Sequence, residues 1–310
     1  MPEGMDTVLT GILKTSLAAS VCVNSIFRSG TYSVDKKKDN SHLTGADLLS
    51  NRICHKGLLA TLPGSGWLSE ESLDAAERLN KEDVWIVDPI DGTREFVEGV
   101  GEFSVSIGLS RNGYPEYGSI AIPHAGRVLL GNRKDGTFRV SYNPDELLNI
   151  LNAFSINENT DADEFYEFFS QKWDEILKIC IFPQGAISKE TDLKAARILV
   201  SKSEWKKGKF DEFKKDLNLI PSGSVARKLG LISAGEGDLS VSLTYKNDWD
   251  ICGGTSLVLS SGGEVIDLNH FQRRTFNQED PLSFGLIAGN QILVKKFQDY
   301  LQNKKLWLER

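Results

Sequence analysis

Apolar residues along the chain follow two different spacings. In some segments they recur every three to four residues, as in amphipathic helices, and in others they alternate or form short runs, as in strands. The first spacing predicts helices over 5–27, 46–62, 161–177, 204–217 and 250–260, one that opens within 221–224 and ends at 234, and one over 291–302. The second predicts strands over 67–69, 84–87, 103–109, 118–122, 128–130, 137–140, 197–201, 239–243, 264–268 and 284–288. This mixture predicts an α/β fold.

A more polar stretch over 143–191 interrupts this alternation of elements. It carries no motif with recognisable chemistry, and we expect it to join two lobes. The expected division is an N-terminal α+β lobe over 1–145 and a C-terminal α/β lobe over 146–310.

Composition narrows the class of protein. The 310 residues include 36 basic and 43 acidic side chains, a formal net charge of −7, with no basic stripe of interleaved aromatic residues, so we expect no nucleic-acid polymer as partner. No apolar run approaches the ~18 residues of a membrane span, and Glu3 and Asp6 are unlike the basic start of a secretory signal. We therefore expect a cytoplasmic protein without a membrane partner. The four cysteines form no CxxC pair, which argues against a zinc site.

Acidic residues follow the predicted strands at three places. Glu70 and Glu71 come after one strand, Asp88 and Asp91 after the next, and Asp250 opens a later helix. Pro89 fixes its own φ and Gly92 permits a tight turn, so Asp88, the carbonyl of Ile90 and Asp91 are expected to converge. Mg²⁺ prefers carboxylate, carbonyl and water oxygens, so these segments are candidates for a magnesium site.

The same three segments carry a resemblance to a known family. The glutamate pair at 70–71, the string D-P-I-D-G-T at 88–93 and W-D-x-x-G at 249–253 occur in the order typical of the inositol monophosphatase superfamily. The resemblance extends over about 9–289. It implies a layered αβαβα sugar-phosphatase fold and a magnesium-dependent, lithium-sensitive phosphatase that acts on a small phosphorylated metabolite. Members of this superfamily are often homodimers.

The resemblance also implies roles for individual residues. Glu70, Asp88 and the Ile90 carbonyl would bind a first Mg²⁺, Asp88, Asp91 and Asp250 a second, and Glu70 would face a third, weaker ion. The hydroxyl that activates water falls on Thr93, and the acid that orients it falls on Asp47. Asp47 also stands three residues after Thr44, where a capping-box acid belongs. The histidines have no ligand spacing and are expected to lie outside the site.

The substrate is less sharply defined by the sequence. The segments 93–96 and 101–105 and the string K-x-D-N-S at 37–41 resemble bacterial 3'(2'),5'-bisphosphate nucleotidases, whereas the spacing from 223 to 235 resembles inositol monophosphatases. His42 stands where both groups usually have proline. The candidate substrate-binding residues are Gly92, Thr93, Arg94, Gly223, Ser224 and Arg227, and Lys36 and Lys37 are further candidate cations for a second phosphate.

Three functions follow as hypotheses. The favoured one is hydrolysis of 3'-phosphoadenosine 5'-phosphate to AMP. The second is inositol-1-monophosphatase activity, with fructose 1,6-bisphosphatase activity as a related variant. The third, from another class, is a non-catalytic protein that binds magnesium and a phosphometabolite, which would not need a hydroxyl and a carboxylate directed at water.

Overall fold

A computed structural model describes residues 5–38 and 40–304. Within these residues the helices are α1 Thr7–Ser29, α2 Gly45–Thr61, α3 Thr93–Val97, α4 Pro144–Ile150, α5 Ala162–Gln171, α6 Trp173–Lys178, α7 Lys202–Lys206, α8 Val225–Ser233, α9 Asp248–Ser260 and α10 Gln291–Lys304. The strands are β1 Val34–Lys36, β2 His42–Thr44, β3 Gly66–Ser69, β4 Asp83–Asp91, β5 Ser104–Arg111, β6 Tyr114–Ile122, β7 Arg127–Asn132, β8 Gly136–Ser141, β9 Ile198–Ser201, β10 Leu219–Ser222, β11 Leu239–Asn247, β12 Glu264–Asp267 and β13 Leu282–Gly289. Short 3₁₀ turns lie at Ala76–Asn80 and Pro123–Ala125.

Two sheets form the framework. In the first, the strand order is β3-β4-β5-β6-β7-β8, with β3 parallel to β4 and the other pairs antiparallel. In the second, the order is β10-β9-β11-β13-β12, with β9 parallel to both of its neighbours and the remaining pairs antiparallel. A small hairpin pairs β1 with β2.

Helices and sheets alternate in layers. The pair α1 and α2 packs on the outer face of the first sheet, α8 and α9 lie between the two sheets, and α10 packs on the outer face of the second. Each layer buries apolar side chains against the next, which is how amphipathic elements remove these surfaces from water. The predicted αβαβα arrangement is confirmed.

The first helix is long and strongly apolar. Asp6 Oδ1 accepts a hydrogen bond from Leu9 N at 2.8 Å at its start, and Gly30 caps its end. An 18-residue window of α1 has mean hydropathy 1.3, so by length and composition alone this helix would suit a membrane span. The expectation that no segment approaches a membrane span is therefore corrected. In the folded chain 78% of that window is buried, as expected of a core helix.

The stretch after the first sheet packs differently from its place in the sequence. Phe165 and Phe169 of α5 and Ile176 of α6 belong to the same hydrophobic cluster as the buried faces of α1 and α2. The expected division into lobes at 145/146 therefore stays a prediction, because the packing does not separate the segment 146–178 from the N-terminal core.

Three element predictions need correction. The helix expected over 161–177 is interrupted at Lys172 and forms α5 and α6. The helix expected over 204–217 is helical only over α7, because Gly208 takes a φ of +72° that a helix does not permit and the chain continues in turns that bury Phe210 and Phe213. The strand expected over 84–87 continues to Asp91, and it passes Pro89 through a register shift against β5 between Asp88 and Asp91. This irregularity is a β-bulge, which redirects the side chains on either side of it.

Candidate active site

The predicted metal-binding residues line one cavity at the ends of β3 and β4. We call it the acidic cavity; its volume is about 190 Å³. Its lining consists of Ser41, His42, Glu70, Asp88, Ile90, Asp91, Gly92, Thr93, Arg94 and Asp250. Acids that are 180 residues apart in the sequence therefore meet at one place in the fold.

Local backbone structure directs each acid toward the acidic cavity. Glu70 follows β3, and its N–H donates to the carbonyl of Val87 in the parallel strand β4 at 3.2 Å. A hydrogen bond within the β4 bulge stabilises it, since Ile90 N donates to Asp88 Oδ1 at 3.0 Å. Asp250 lies in the first turn of α9, where Asn247 N donates to its Oδ2 at 2.8 Å. One oxygen of Asp250 thus caps the helix and the other remains for a ligand.

The protein alone does not balance the negative charge of the acidic cavity. Burial raises the pKa of Asp88, and the charges of Glu70, Asp91 and Asp250 raise it further. Burial, together with the charges of Asp91 and Glu70, raises the pKa of Asp250 to about 8. Buried carboxylates that repel one another in this way are stabilised by a bound cation.

The donor set fits magnesium, although it is not a closed metal site. Across the described ranges, 5–38 and 40–304, no three Asp, Glu, His or Cys side chains stand close enough together to hold a metal ion as they are placed. The acids surround a space instead of converging on a point. Mg²⁺ usually keeps several waters and binds through one or two carboxylates and a substrate phosphate, so hard oxygen donors around such a space match its coordination.

A lysine lies at the outer acids. Lys37 Nζ donates to Glu70 Oε1 at 2.7 Å and also contacts Glu71 Oε1. Its ammonium therefore stands beside the carboxylate that the family resemblance assigns to a third ion. Lys37 is engaged by acids and is not available to a substrate phosphate in this arrangement, while Lys36 is exposed on β1. Asp39, part of the K-x-D-N-S string, lies outside the described residues.

The Thr93 hydroxyl and the Asp47 carboxylate are in contact. Thr93 Oγ1 lies 3.1 Å from Asp47 Oδ1 and 2.9 Å from the carbonyl oxygen of Ile90, and its single proton serves one acceptor at a time. The other carboxylate oxygen, Asp47 Oδ2, accepts from Thr44 N at 2.8 Å and from Thr44 Oγ1 at 2.6 Å. Asp47 therefore fulfils the capping-box role with one oxygen and contacts Thr93 with the other. Burial raises the pKa of Asp47 to about 6.

A second cavity of about 330 Å³ adjoins the acidic cavity and shares Asp91, Gly92, Arg94 and Asp250 with it. We call it the lysine cavity. Its cationic side chains are Arg94, Lys202, Lys207, Lys228 and Lys246, and several serines line it as well. Sequence reasoning missed these lysines, because α7, α8 and β11 supply them from separate segments without a motif.

Lys228, and not its neighbour Arg227, faces the lysine cavity. Only 2% of Lys228 is exposed, and its Nζ donates to the carbonyl of Ser224 at 2.9 Å. Burial lowers the pKa of this lysine to about 8, against the opposing charge of Asp91. Arg227 is absent from the described lining of both cavities, and its Nη1 donates to Ser222 Oγ at 2.8 Å. The role of Arg227 in substrate binding therefore stays a prediction, and its side chain contacts the lysine cavity through Ser222.

Ser224 supports an acid of the acidic cavity. Its Oγ donates to Asp91 Oδ2 at 2.6 Å, and Ala226 N donates to the same oxygen at 2.6 Å. Ser224 adopts a φ of +53°, a strained conformation for a residue with a side chain, which commonly marks a functional site. Gly223 and Ser224 both line the lysine cavity, as expected of substrate-binding candidates.

Gly92 and His42 complete the boundary of the acidic cavity. Gly92 has a φ of +96°, and a Cβ added there would lie 3.0 Å from the carbonyl oxygen of Glu102, so glycine is required at this turn. His42, on β2, lines the acidic cavity, which corrects the expectation that no histidine enters the site. The sequence shows no ligand spacing around His42, which lies on a polar hairpin. The feature that could have pointed to this residue is that relatives usually have proline at its position.

Known proteins similar to this chain form a consistent group. The sequence pattern of the inositol monophosphatase family matches residues 5–305. The 3'(2'),5'-bisphosphate nucleotidase CysQ of Haemophilus influenzae is 28% identical over 251 residues, which cover 80% of each protein. The inositol monophosphatase of Mesembryanthemum crystallinum is 26% identical over 270 residues, covering 84% of this chain and 86% of that protein. The solved structure of the extragenic suppressor protein suhB from Bartonella henselae matches with a TM-score of 0.70 at 20% identity, over 96% of this chain and 98% of that one.

Proposed function

This chain belongs to the inositol monophosphatase family, and we propose that it is a magnesium-dependent, lithium-sensitive 3'(2'),5'-bisphosphate nucleotidase of the cytoplasm. Members of the family are metal-dependent phosphatases that act on small phosphorylated substrates. The proposed reaction converts 3'-phosphoadenosine 5'-phosphate and water to AMP and inorganic phosphate. The observation that carries the choice of substrate is the lysine cavity, which opens directly beside the acidic cavity.

In this proposal the acidic cavity holds the phosphate that is cleaved. Two Mg²⁺ ions, with a third weaker one at Glu70, would neutralise its charge and lower the pKa of the attacking water. Glu70, Asp88 and the Ile90 carbonyl would hold the first ion, and Asp88, Asp91 and Asp250 would hold the second. The observed support is the unbalanced charge of these buried carboxylates.

Thr93 and Asp47 accept the proton of the attacking water in two linked transfers. When the Thr93 hydroxyl donates to Asp47 Oδ1, its lone pairs can accept a hydrogen bond from the water. As the water oxygen forms its bond to phosphorus, its proton moves to Thr93 Oγ1 while the hydroxyl proton moves to Asp47 Oδ1. The bond from phosphorus to the ester oxygen breaks in line with the attack, the freed 3' oxygen takes a proton from solvent water, and AMP leaves. Asp47 then returns its proton to the solvent.

The lysine cavity holds the rest of the substrate. Its volume of about 330 Å³ falls in the range of small-molecule sites. A nucleotide bisphosphate places a second dianionic phosphate beyond the cleaved one, and Lys207, Lys246 and Arg94 offer the charge to bind it. Lys202 Nζ already pairs with Glu102 Oε2 at 2.7 Å. The neutral polyol of inositol 1-phosphate gives these cations nothing to neutralise.

One observation favours the second candidate, inositol-1-monophosphatase activity. Ser201, Ser203, Ser222 and Ser242 also line the lysine cavity, and hydroxyls of this kind can bind a polyol. The spacing from 223 to 235 and the relative from Mesembryanthemum crystallinum agree with it. The non-catalytic alternative is disfavoured, because the contact between Thr93 and Asp47 has no purpose in a protein that only binds.

Substrate comparison tests the proposal. We expect kcat/KM for 3'-phosphoadenosine 5'-phosphate to exceed that for inositol 1-phosphate by at least about a hundredfold at equal Mg²⁺, because the second phosphate adds charge-assisted hydrogen bonds worth about 3 kcal/mol in total. Millimolar Li⁺ should inhibit this turnover. A preference for inositol 1-phosphate would select the second candidate, and no turnover of either ester would favour the binding protein.

A further inference from the structure

Tyr245, near the end of β11, brings an aromatic ring to the lysine cavity. It lines this cavity together with Lys246 and Asp250, and 64% of the residue is exposed. Among the lining residues that the structure describes, Tyr245 is the only one with an aromatic ring, and most of the others are serines or charged residues. The proposed function gives the cations of the cavity a role and leaves this ring without one.

A β-bulge brings Tyr245 to the lysine cavity. The pairing of β11 with β13 shifts its register between Ser242 and Tyr245, and Tyr245 then stands opposite Phe284. In a regular strand, residues three apart point to opposite faces of the sheet, whereas Ser242 and Tyr245 both line the cavity. On the partner strand Gly285 has a φ of +61°, which suits glycine. The bulge therefore redirects the end of β11 toward the cavity.

A buried carboxylate holds this bulge in place. Only 2% of Glu204 is exposed, and its Oε2 accepts a hydrogen bond from Leu243 N at 2.7 Å. Its Oε1 accepts from Ser242 Oγ at 2.6 Å and from Thr244 Oγ1 at 2.7 Å. These three donors belong to the three residues directly before Tyr245. The backbone that carries the ring is therefore fixed before a ligand arrives, which reduces the entropy that binding would cost.

A second aromatic residue restrains the ring itself. The ring centroids of Tyr245 and Phe284 lie 5.2 Å apart with an interplanar angle of 66°, an edge-to-face arrangement that aromatic pairs favour. Phe284 is half-buried and packs against the hydrophobic core of the second sheet. The Tyr245 side chain is thus held in position while much of its surface remains open to the cavity and to solvent.

We propose that Tyr245 is a specificity-determining residue whose ring stacks on the aromatic base of a nucleotide, while the phosphates of that nucleotide lie at the acidic cavity and at the neighbouring cations. This role rests on the proposed function, because an inositol ester is a saturated polyol and has no planar ring to stack. Stacking of a base on an aromatic side chain commonly strengthens binding by a factor of roughly ten to a hundred.

Substrates with and without a base test this role. The abasic analogue of 3'-phosphoadenosine 5'-phosphate, in which hydrogen replaces adenine, keeps both phosphates. We expect the wild-type kcat/KM to be at least about tenfold higher for the nucleotide than for this analogue. Tyr245→Ala should reduce the ratio to within about threefold, through KM and with little change in kcat, because stacking acts equally in the ground state and the transition state. Tyr245→Phe keeps the ring and should keep the ratio.

Tyr114→Ala is the matched control for these variants. Tyr114 is 62% exposed and belongs to the described lining of neither the acidic nor the lysine cavity, so its loss should leave the ratio unchanged. Thermal unfolding should show melting temperatures within a few degrees of the wild type for each variant, because both tyrosines are exposed. An unchanged ratio in Tyr245→Ala, or equal losses for both substrates, would overturn the proposal. A loss in Tyr245→Phe as large as in Tyr245→Ala would also overturn it, since the effect would then belong to the hydroxyl.

Product binding separates this role from the proposed function. Calorimetry in the presence of Mg²⁺ should show that AMP binds the wild type at least about tenfold more tightly than ribose 5-phosphate, and Tyr245→Ala should abolish the difference. If the wild type preferred inositol 1-phosphate as substrate, the proposed function would fail, and AMP binding that depends on Tyr245 would still support the base site. If the wild type preferred the bisphosphates but bound AMP and ribose 5-phosphate equally, the proposed function would stand and the role of Tyr245 would be wrong.

Discussion

The acidic cavity and the lysine cavity adjoin one another, yet they are built in opposite ways. The acids of the first come mostly from a short run at the end of β4 and from the first turn of α9. The cations of the second come from α3, α7, α8 and β11, with Lys228 almost completely buried. The first gathers buried carboxylates that repel one another and raise the pKa of Asp88 and Asp250, while the second brings several lysine and arginine side chains together.

In the proposed function the two cavities have separate roles, one in the reaction and the other in the choice of substrate. Under that proposal, hydrolysis of a phosphate ester depends on the acidic cavity, whereas discrimination among esters depends on the lysine cavity. Substitutions in the acidic cavity should therefore affect every substrate alike. Substitutions in the lysine cavity should affect a bisphosphate more than a monophosphate.

The largest effect is expected for Asp88→Asn. Asp88 is proposed to ligate both principal ions, so the change should lower kcat at least about a thousandfold for 3'-phosphoadenosine 5'-phosphate and for inositol 1-phosphate, and should weaken Mg²⁺ binding measured by calorimetry. Glu98→Gln is a matched control, because Glu98 is an exposed acid just after α3 and should retain full activity. Near-normal turnover in Asp88→Asn would remove this acid from the metal site.

A somewhat smaller effect is expected for Thr93→Ala. Loss of the hydroxyl that contacts Asp47 Oδ1 should lower kcat about a hundredfold to a thousandfold, with Mg²⁺ affinity within about threefold of the wild type. Thr93→Ser preserves a hydroxyl and should recover most of the activity. If Thr93→Ala lost Mg²⁺ affinity as strongly as it lost turnover, Thr93 would act in metal binding and the proposed proton route would be wrong.

Metal removal and pH test the charge of the acidic cavity directly. The pKa of Asp250 is raised from 3.8 to about 8, so the folded state holds a proton that the unfolded chain has lost. Between about pH 4 and pH 8 the metal-free protein should therefore lose stability as pH rises. Thermal unfolding in EDTA should show a falling melting temperature over this range, and Mg²⁺ should raise it most near pH 8.

The variant Asp250→Asn provides the control for that measurement. It removes the titrating group and should flatten the dependence of the melting temperature on pH in EDTA. A melting temperature that rises between pH 5 and pH 8 in the metal-free wild type would contradict the assigned charge imbalance. So would an effect of Mg²⁺ that does not depend on pH.

The acids that line the acidic cavity could be named from the sequence, because they are short-range neighbours or belong to the motifs that carry the family resemblance. The D-P-I-D-G-T string fixes the bulge that separates Asp88 from Asp91, and the capping positions of Asp47 and Asp250 are visible from helix starts. The α/β class followed from the spacing of apolar residues, and the layered arrangement followed from the family resemblance. The break of the 204–217 helix at Gly208 could not be predicted, since apolar residues within turns can mimic a helical period.

The lysine cavity could not be predicted in the same way. Lys202, Lys228 and Lys246 become neighbours only when the second sheet and α8 are assembled, and a lysine in the sequence carries no sign of the face on which it will lie. The choice of Arg227 in place of Lys228 illustrates this limit. A shift of one residue on a helix turns a side chain by about 100°, which decides between facing the cavity and leaving it.

The last and smallest effect concerns Lys246→Met in the lysine cavity. Loss of one cation from the proposed site of the second phosphate should lower kcat/KM for 3'-phosphoadenosine 5'-phosphate about tenfold, equivalent to about 1.4 kcal/mol, with turnover of inositol 1-phosphate within about twofold. Lys206→Met is the matched control, since Lys206 is an exposed lysine of α7 outside the cavity lining. Equal losses for both esters in Lys246→Met would mean that the lysine supports the fold, because Glu204 is its buried partner at 3.4 Å. A loss confined to the bisphosphate would instead assign Lys246 to the second phosphate.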